Sequence, residues 1–201
     1  LSFLTPPNSA QFDEAVALLK NLSALDTKGK ITDHGKALAA LPLHPRLAHM
    51  LKLSGPQAAG LAALLADRDP LQRGAPGDLA LRLEALSDPK RFEQRRPYKI
   101  ERPILERIKL ETRRLKPFCP DISPNFSKAQ MAAMAYPDRI AMRRKGLPPR
   151  YLLSSGKGAI LVAEDSPLTQ RLLVATDLDG DPKEARIRTA ISISEAELRE
   201  L

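Results

Sequence analysis

Two rhythms divide this chain. From Phe12 to Ala135, apolar residues recur every three to four positions, the spacing that lines one face of a helix. Beyond Leu147-Pro148-Pro149 they fall at every second position, as in Ala185-Arg186-Ile187-Arg188-Thr189-Ala190-Ile191, the spacing of a half-buried strand. A single change of period predicts an α+β architecture in which a helical part precedes a small sheet. At 201 residues and 43% apolar content, the chain can form one large domain or two to three small ones with a real core. No apolar run approaches the roughly 18–20 residues of a membrane span, and no leader precedes the first polar segment, so a cytoplasmic location is expected. One cysteine, Cys119, excludes an internal disulfide framework and a multi-cysteine zinc site.

Punctuation along the chain places the elements. Pro6-Pro7-Asn8-Ser9 breaks the backbone and opens a helix carrying Phe12, Ala15, Val16, Leu18, Leu19 and Leu22. Asp26 to Thr32 reads as a small hairpin, and Thr32 or Asp33 caps a helix that Pro42 stops. Helix, hairpin, helix is the order found in part of a winged helix. Arg46–Leu53, Gln57–Ala66 and a helix capped by Asp78 follow, joined by short turns as in a small bundle. Residues 87–100 read as a polar connector. A long helix from Ile100 to Lys116 buries Ile104, Ile108 and Leu115, and Ser127 caps a last one through Ala135. Four short strands are expected: Tyr151–Leu153, Ala159–Val162, Leu172–Thr176 and Ala185–Ile191, in a small antiparallel barrel or sandwich.

Most catalytic chemistry is missing. Gly55 and Gly60 have the separation of a phosphate loop, but Leu61 stands where the lysine must be. Asp177, Asp179 and Asp181 alternate like calcium ligands, yet Pro182 occupies the position that needs glycine, which favours a polar hairpin turn. Gly156-Lys157-Gly158 also reads first as a turn. No Gly-x-Ser-x-Gly elbow exists, and His44 and His49 read as packing or capping residues. Catalytic, cofactor-binding and metal residues are therefore expected to be none, and a free-standing enzyme has no support.

Positive charge is the feature with content. Residues 90–116 hold eleven basic against four acidic residues, a net +7 of the chain's +8. Arg102, Lys109, Arg113 and Lys116 fall on one helical face, with Arg114 beside them, while Ile104, Ile108 and Leu115 lie opposite. A second cluster, Arg139, Arg143, Arg144, Lys145 and Arg150, adjoins Tyr151. With Lys157 added and Arg139 left aside, these residues make the candidate nucleic-acid-binding set: cations to track phosphates and an aromatic to stack a base. A solvated helix face and a merely soluble surface account for the same counts. At 4% aromatic content, backbone contact with little sequence preference fits better than a stacking reader.

The passage Leu22-Ser-Ala-Leu-Asp-Thr-Lys-Gly-Lys-Ile-Thr-Asp-His-Gly-Lys-Ala-Leu-Ala-Ala-Leu-Pro-Leu-His-Pro-Arg-Leu-Ala-His-Met-Leu51 resembles the helicase-associated region of DEAH-type helicases. Ala135-Tyr-Pro-Asp-Arg-Ile-Ala141, Tyr151-Leu-Leu-Ser-Ser-Gly-Lys-Gly-Ala159 and Asp177-Leu-Asp-Gly-Asp181 are similar to the C-terminal region of the bacterial HrpB family of ATP-dependent helicases. The resemblance implies a partial winged helix over residues 1–45, a ratchet-like helical bundle over 46–136 and an oligonucleotide-binding-type (OB-like) barrel over 137–201. It implies single-stranded RNA or DNA and the RecA-like motor domains of the same chain as partners. ATP and Mg²⁺ would belong to those motor domains in the parent protein, with none in this piece. An incomplete winged helix would expose an edge through which the piece could form a homodimer or bind a neighbour. The rival from another class is a protein-interaction scaffold, whose basic face docks the motor domains or a partner protein and never meets nucleic acid.

Overall fold

Side-chain caps set where the helices begin. In the computed structural model, which describes residues 8–146, 148–161, 168–180 and 184–201, the Asn8 carboxamide accepts from the Ala10 N–H at 3.0 Å and opens α1 (Ser9–Asn21). Thr32 accepts from the Gly35 N–H at 2.9 Å and opens α2 (Asp33–Ala39). Next come α3 (Pro45–Ser54), a 3₁₀ turn at Gly55–Ala58 and α4 (Ala59–Ala66). Gly55 separates them at φ +71, and its missing Cβ leaves room for the Ile122 carbonyl. Asp78 caps α5 (Leu79–Ser87) as expected. The long helix is α7 (Arg102–Leu115), with Pro103 tolerated in its first turn. Ser127 and Gln130 form a reciprocal capping box on α8 (Lys128–Ala135).

Four expectations are corrected. The 87–100 connector contains a helix, α6 (Pro89–Arg95): Asp88 caps it, and Phe92 is 0% exposed against Leu81, Ala85 and Leu105. One aromatic residue anchors a polar segment there, which periodicity cannot show. The 26–32 hairpin reduces to a single bridge between Leu25 and Ile31. Leu105, rather than Ile104, belongs with Ile108 and Leu115 in the fully buried stripe of α7, and Ile104 is half-buried. On α1 no residue is buried and Phe12 is 52% exposed, although the stripe reads as a core face.

The β part has one strand more than expected among the described residues. Ile140–Arg143 forms β1, followed by β2 (Arg150–Leu153), β3 (Gly158–Leu161), β4 (Leu172–Leu178) and β5 (Ala185–Ser192), with α9 (Glu195–Arg199) closing the described chain. They make a closed barrel in the order β1-β2-β3-β5-β4. All neighbours are antiparallel except β3 and β5, which run parallel. Ala141, Tyr151, Leu153, Leu161, Leu173 and Ile187 fill its interior. Val174 and Ile191 point the other way and join the helical core with Met131, Ala132 and Leu61, so β4 is buried on both faces. A second seam runs from the α5 start, where the Ala190 N–H donates to the Gly77 carbonyl at 2.9 Å. Leu1, the Pro6-Pro7 break, Leu147, Val162, Asp181 and Pro182 lie outside the described residues.

Candidate nucleic-acid interface

The basic set divides once partners are assigned. On α7, Arg102 is held by Glu93, Lys109 Nζ reaches Glu106 at 2.9 Å, and Arg114 makes two 2.9 Å hydrogen bonds to Glu111. Arg107 is clamped by Asp67; that hydrogen bond raises the guanidinium and lowers the carboxyl from their ordinary ranges. Arg113 and Lys116 are exposed and have no carboxylate partner among the described residues. They are the two cations at the C-terminal end of the helix left for an external anion.

The barrel contributes its own group. The β1–β2 turn passes through Gly146 at φ +112 and presents Arg143, Arg144 and Lys145, all exposed and without a side-chain partner among the described residues. Arg150, by contrast, pairs with Glu184 at 2.9 Å, and Lys157 pairs with Glu14 of α1 at 2.7 Å. Lys157 does sit in a turn, since the Leu153 N–H donates to its carbonyl at 2.9 Å.

Tyr151 is removed from the set. It is 1% exposed inside the barrel, and its hydroxyl donates to the Gln170 carbonyl at 3.0 Å and the Leu168 carbonyl at 3.3 Å. Burial pushes its phenol up from the ordinary value, and no base can reach the ring. The alternation of β2 turns that position inward, whereas Arg150 faces out. Conversely, the sequence-based set left out Lys90, Arg91, Arg95 and Lys99, which are exposed around α6 without ion-pair partners among the described residues. They stood in the charge count, but only the helix shows that they are displayed from an ordered element.

A separate polar cluster forms where the helical part meets the barrel. Arg46, 8% exposed, donates from Nη1 and Nη2 to the two oxygens of Asp138 at 2.5 and 2.9 Å, and from Nη1 to the Ala135 carbonyl at 3.3 Å. Burial raises the Asp138 carboxyl, and the Arg46 hydrogen bonds and charge more than offset that, leaving it below its ordinary value. The Arg46 and Arg139 guanidiniums stand 5.2 and 5.1 Å from the centre of the Tyr136 ring. His44 caps α3, its Nδ1 accepting from the Arg46 N–H at 3.3 Å, as the capping expectation had it. His49 instead shares a 2.8 Å hydrogen bond with His34, and burial, then His34, push it down to about 4. Among the described residues, no group of three or more His, Cys, Asp or Glu could hold a metal ion. Nor is any helix among them long and apolar enough to cross a membrane.

Arg46 lies in the Leu41-Pro-Leu-His-Pro-Arg-Leu-Ala48 passage and Asp138 in Ala135-Tyr-Pro-Asp-Arg-Ile-Ala141, so two distant motifs meet in this ion pair. Residues 15–43 match the winged-helix part of the helicase associated domain (HA2). The chain superposes on E. coli DExH-box NTPase HrpB with a TM-score of 0.72 and 28% identity, over 99% of this chain and 23% of that one. A second crystal structure, of Escherichia coli DEAH/RHA helicase HrpB, gives 0.65 and 26% over 96% of this chain and 23% of that one. The probable ATP-dependent RNA helicase DHR1 of Saccharomyces cerevisiae is 43% identical over 56 residues, 28% of this chain and 4% of that protein. This chain corresponds to the C-terminal region of a DEAH helicase like HrpB. It spans about a quarter of the HrpB chains it matches. In this HrpB-like region the winged-helix match covers α2 and the second half of α1, and the closed barrel follows the helices.

Proposed function

We propose that this region binds and guides a single strand of nucleic acid beside the motor domains of an ATP-dependent RNA helicase, with ATP and Mg²⁺ handled by those motor domains. The observation that carries the reading is a group of exposed cations without side-chain partners among the described residues: Arg113 and Lys116 at the C-terminal end of α7, and Arg143, Arg144 and Lys145 on the β1–β2 turn. A helix that neutralises Arg102, Arg107, Lys109 and Arg114 internally yet leaves Arg113 and the capping Lys116 without a carboxylate among the described residues has a use for them at that end. The barrel order, with β3 and β5 parallel, supports an oligonucleotide-binding type of domain. Residues 1–45, 46–136 and 137–201 then act as winged-helix, ratchet-like and OB-like units.

The test is a fluorescence-anisotropy titration of the chain against a labelled 12-nucleotide single-stranded RNA at several salt concentrations. A log–log slope of about −2 to −4 is expected, at roughly −0.7 per phosphate engaged. Each contact is then worth about 0.7 log unit at ~0.1 M salt, so joint charge reversal (R113E and K116E) should weaken binding about 25-fold. A folded double variant with unchanged affinity and slope would refute the site. Leu110 at 65% and Phe118 at 44% exposure, flanking the same cations, favour protein docking as the second reading. Absence of RNA binding even at low salt would put that reading first, and a pull-down with the separate motor fragment would then test it.

A further inference from the structure

A cavity of about 410 Å³ opens at the corner between α2 and α3, lined by Pro42, Leu43, His44, Leu65, Tyr136 and Arg139, with Arg46 in its wall. Its charge is unbalanced. Two guanidiniums share one adjacent carboxylate, and Asp138 is fully committed to Arg46 through both oxygens. The Nε of Arg139 stands 4.0 Å from Asp138, beyond hydrogen-bond length, although its side chain is only 28% exposed. Its hydrogen bond among the described residues is a long one, from Nη1 to the Thr176 carbonyl at 3.4 Å. Asp177 adds the weakest of the attractive charges on it. A half-buried fork of N–H donors with one long internal acceptor leaves donors open to an external anion.

We propose that this cavity is a phosphate-binding site, in which Arg139 supplies the principal charge-assisted donors and the His44 ring adds an N–H donor beside the Arg46–Asp138 pair. The site is distinct from the α7 face and does not depend on it. Arg139 matches phosphate because its planar fork can donate two parallel N–H bonds to adjacent oxygens. His44 uses Nδ1 to cap α3, which leaves its other ring nitrogen to serve as a donor. Burial, followed by the Arg46 charge, holds the Arg139 guanidinium below its ordinary range, and the His44 imidazole is lowered by burial and then by both arginines. A bound anion would relieve the repulsion between the two guanidiniums. The apolar wall of Pro42, Leu43 and Leu65 leaves space beside the phosphate for the sugar or base of a mononucleotide, or for the end of a strand.

The test follows the Arg139 Nε–H and His44 ring signals of the chain by NMR while inorganic phosphate is titrated at constant ionic strength. Saturable shifts at both residues are expected, weakened about tenfold or more by Arg139→Gln, and less by Arg139→Lys, which keeps the charge and loses the fork. Joint charge reversal at Arg113 and Lys116 should leave phosphate binding unchanged, so failure of the strand-guiding reading would be distinguishable from failure of this one. Shifts that do not saturate, that chloride reproduces, or that survive Arg139→Gln would overturn the proposal. If Arg139→Gln does not fold, the wild-type titration and Arg139→Lys decide. The source of the phosphate is read by comparing uridine 5′-monophosphate with a 12-nucleotide RNA carrying a 5′-phosphate or a 5′-hydroxyl. Preference for the phosphorylated end assigns the site to a strand terminus. Equal oligonucleotide binding with retained affinity for the mononucleotide assigns it to a free nucleotide.

Discussion

Replacing Asp138 by asparagine should destabilise the junction more than any exposed ion pair could. The Arg46 guanidinium is 8% exposed and would keep only neutral acceptors, the Ala135 carbonyl at 3.3 Å and the asparagine amide oxygen, with no counter-charge. Removing one partner of a buried pair costs about 3–5 kcal/mol. Asp138 retains 24% side-chain exposure, so water can partly replace it and the lower end, about 3 kcal/mol, applies. For a chain of this size each kcal/mol shifts the melting temperature by roughly 2–4 °C, which gives a fall of roughly 6–12 °C by circular dichroism. The pair also sets a pH signature. Because the folded Asp138 carboxyl is depressed, its contribution is complete above the ordinary carboxylate range and lost as pH falls through its folded value. The gap between wild type and D138N should therefore narrow below about pH 4. Converting both partners to apolar residues, Arg46→Met with Asp138→Leu, should recover at least half the loss, since no buried charge is then orphaned. A D138N loss below about 1 kcal/mol, or a double variant no better than D138N, would refute the argument that an orphaned guanidinium drives the cost.

Two further outcomes follow from single contacts. Tyr151→Phe removes a hydroxyl that donates to the Gln170 and Leu168 carbonyls, so urea unfolding should show a loss of about 1–1.5 kcal/mol. RNA affinity should stay unchanged; a selective loss of affinity would restore Tyr151 to the binding set. Ser127→Ala breaks the α8 capping box and the 2.6 Å bond to Glu197 of α9, for about 1–2 kcal/mol, with faster hydrogen exchange at the start of α8; exchange unchanged there would count against the cap.

Much of this molecule could be read before any fold was known, and the reasons are local. Asn8, Thr32, Asp78 and Ser127 each satisfy N–H groups within three residues, so helix starts are written in short stretches of chain. The alternation in Ala185–Ser192 names its inward face in the same way. Phe92 has no periodic partners in its own segment; it makes α6 a helix by entering a core built from α5 and α7. Strand β1 was hidden because Ile140–Arg143 reads as the start of a basic cluster, and only pairing with β2 and β4 reveals it.

The charge run shows the same divide. Its sign and total follow from composition, which pointed to an anionic partner. Which cations remain available depends on carboxylates brought alongside by folding: Asp67 reaches Arg107 across 40 positions, and Glu14 reaches Lys157 across 143. The family signal was legible because it rests on short passages. The meeting of two of them, Arg46 on Asp138 with Arg139 left short of acceptors, was decided by tertiary structure alone. Caps and periodicity act between neighbours along the chain, whereas burial and charge compensation depend on distances that exist only after the helices have packed against the barrel.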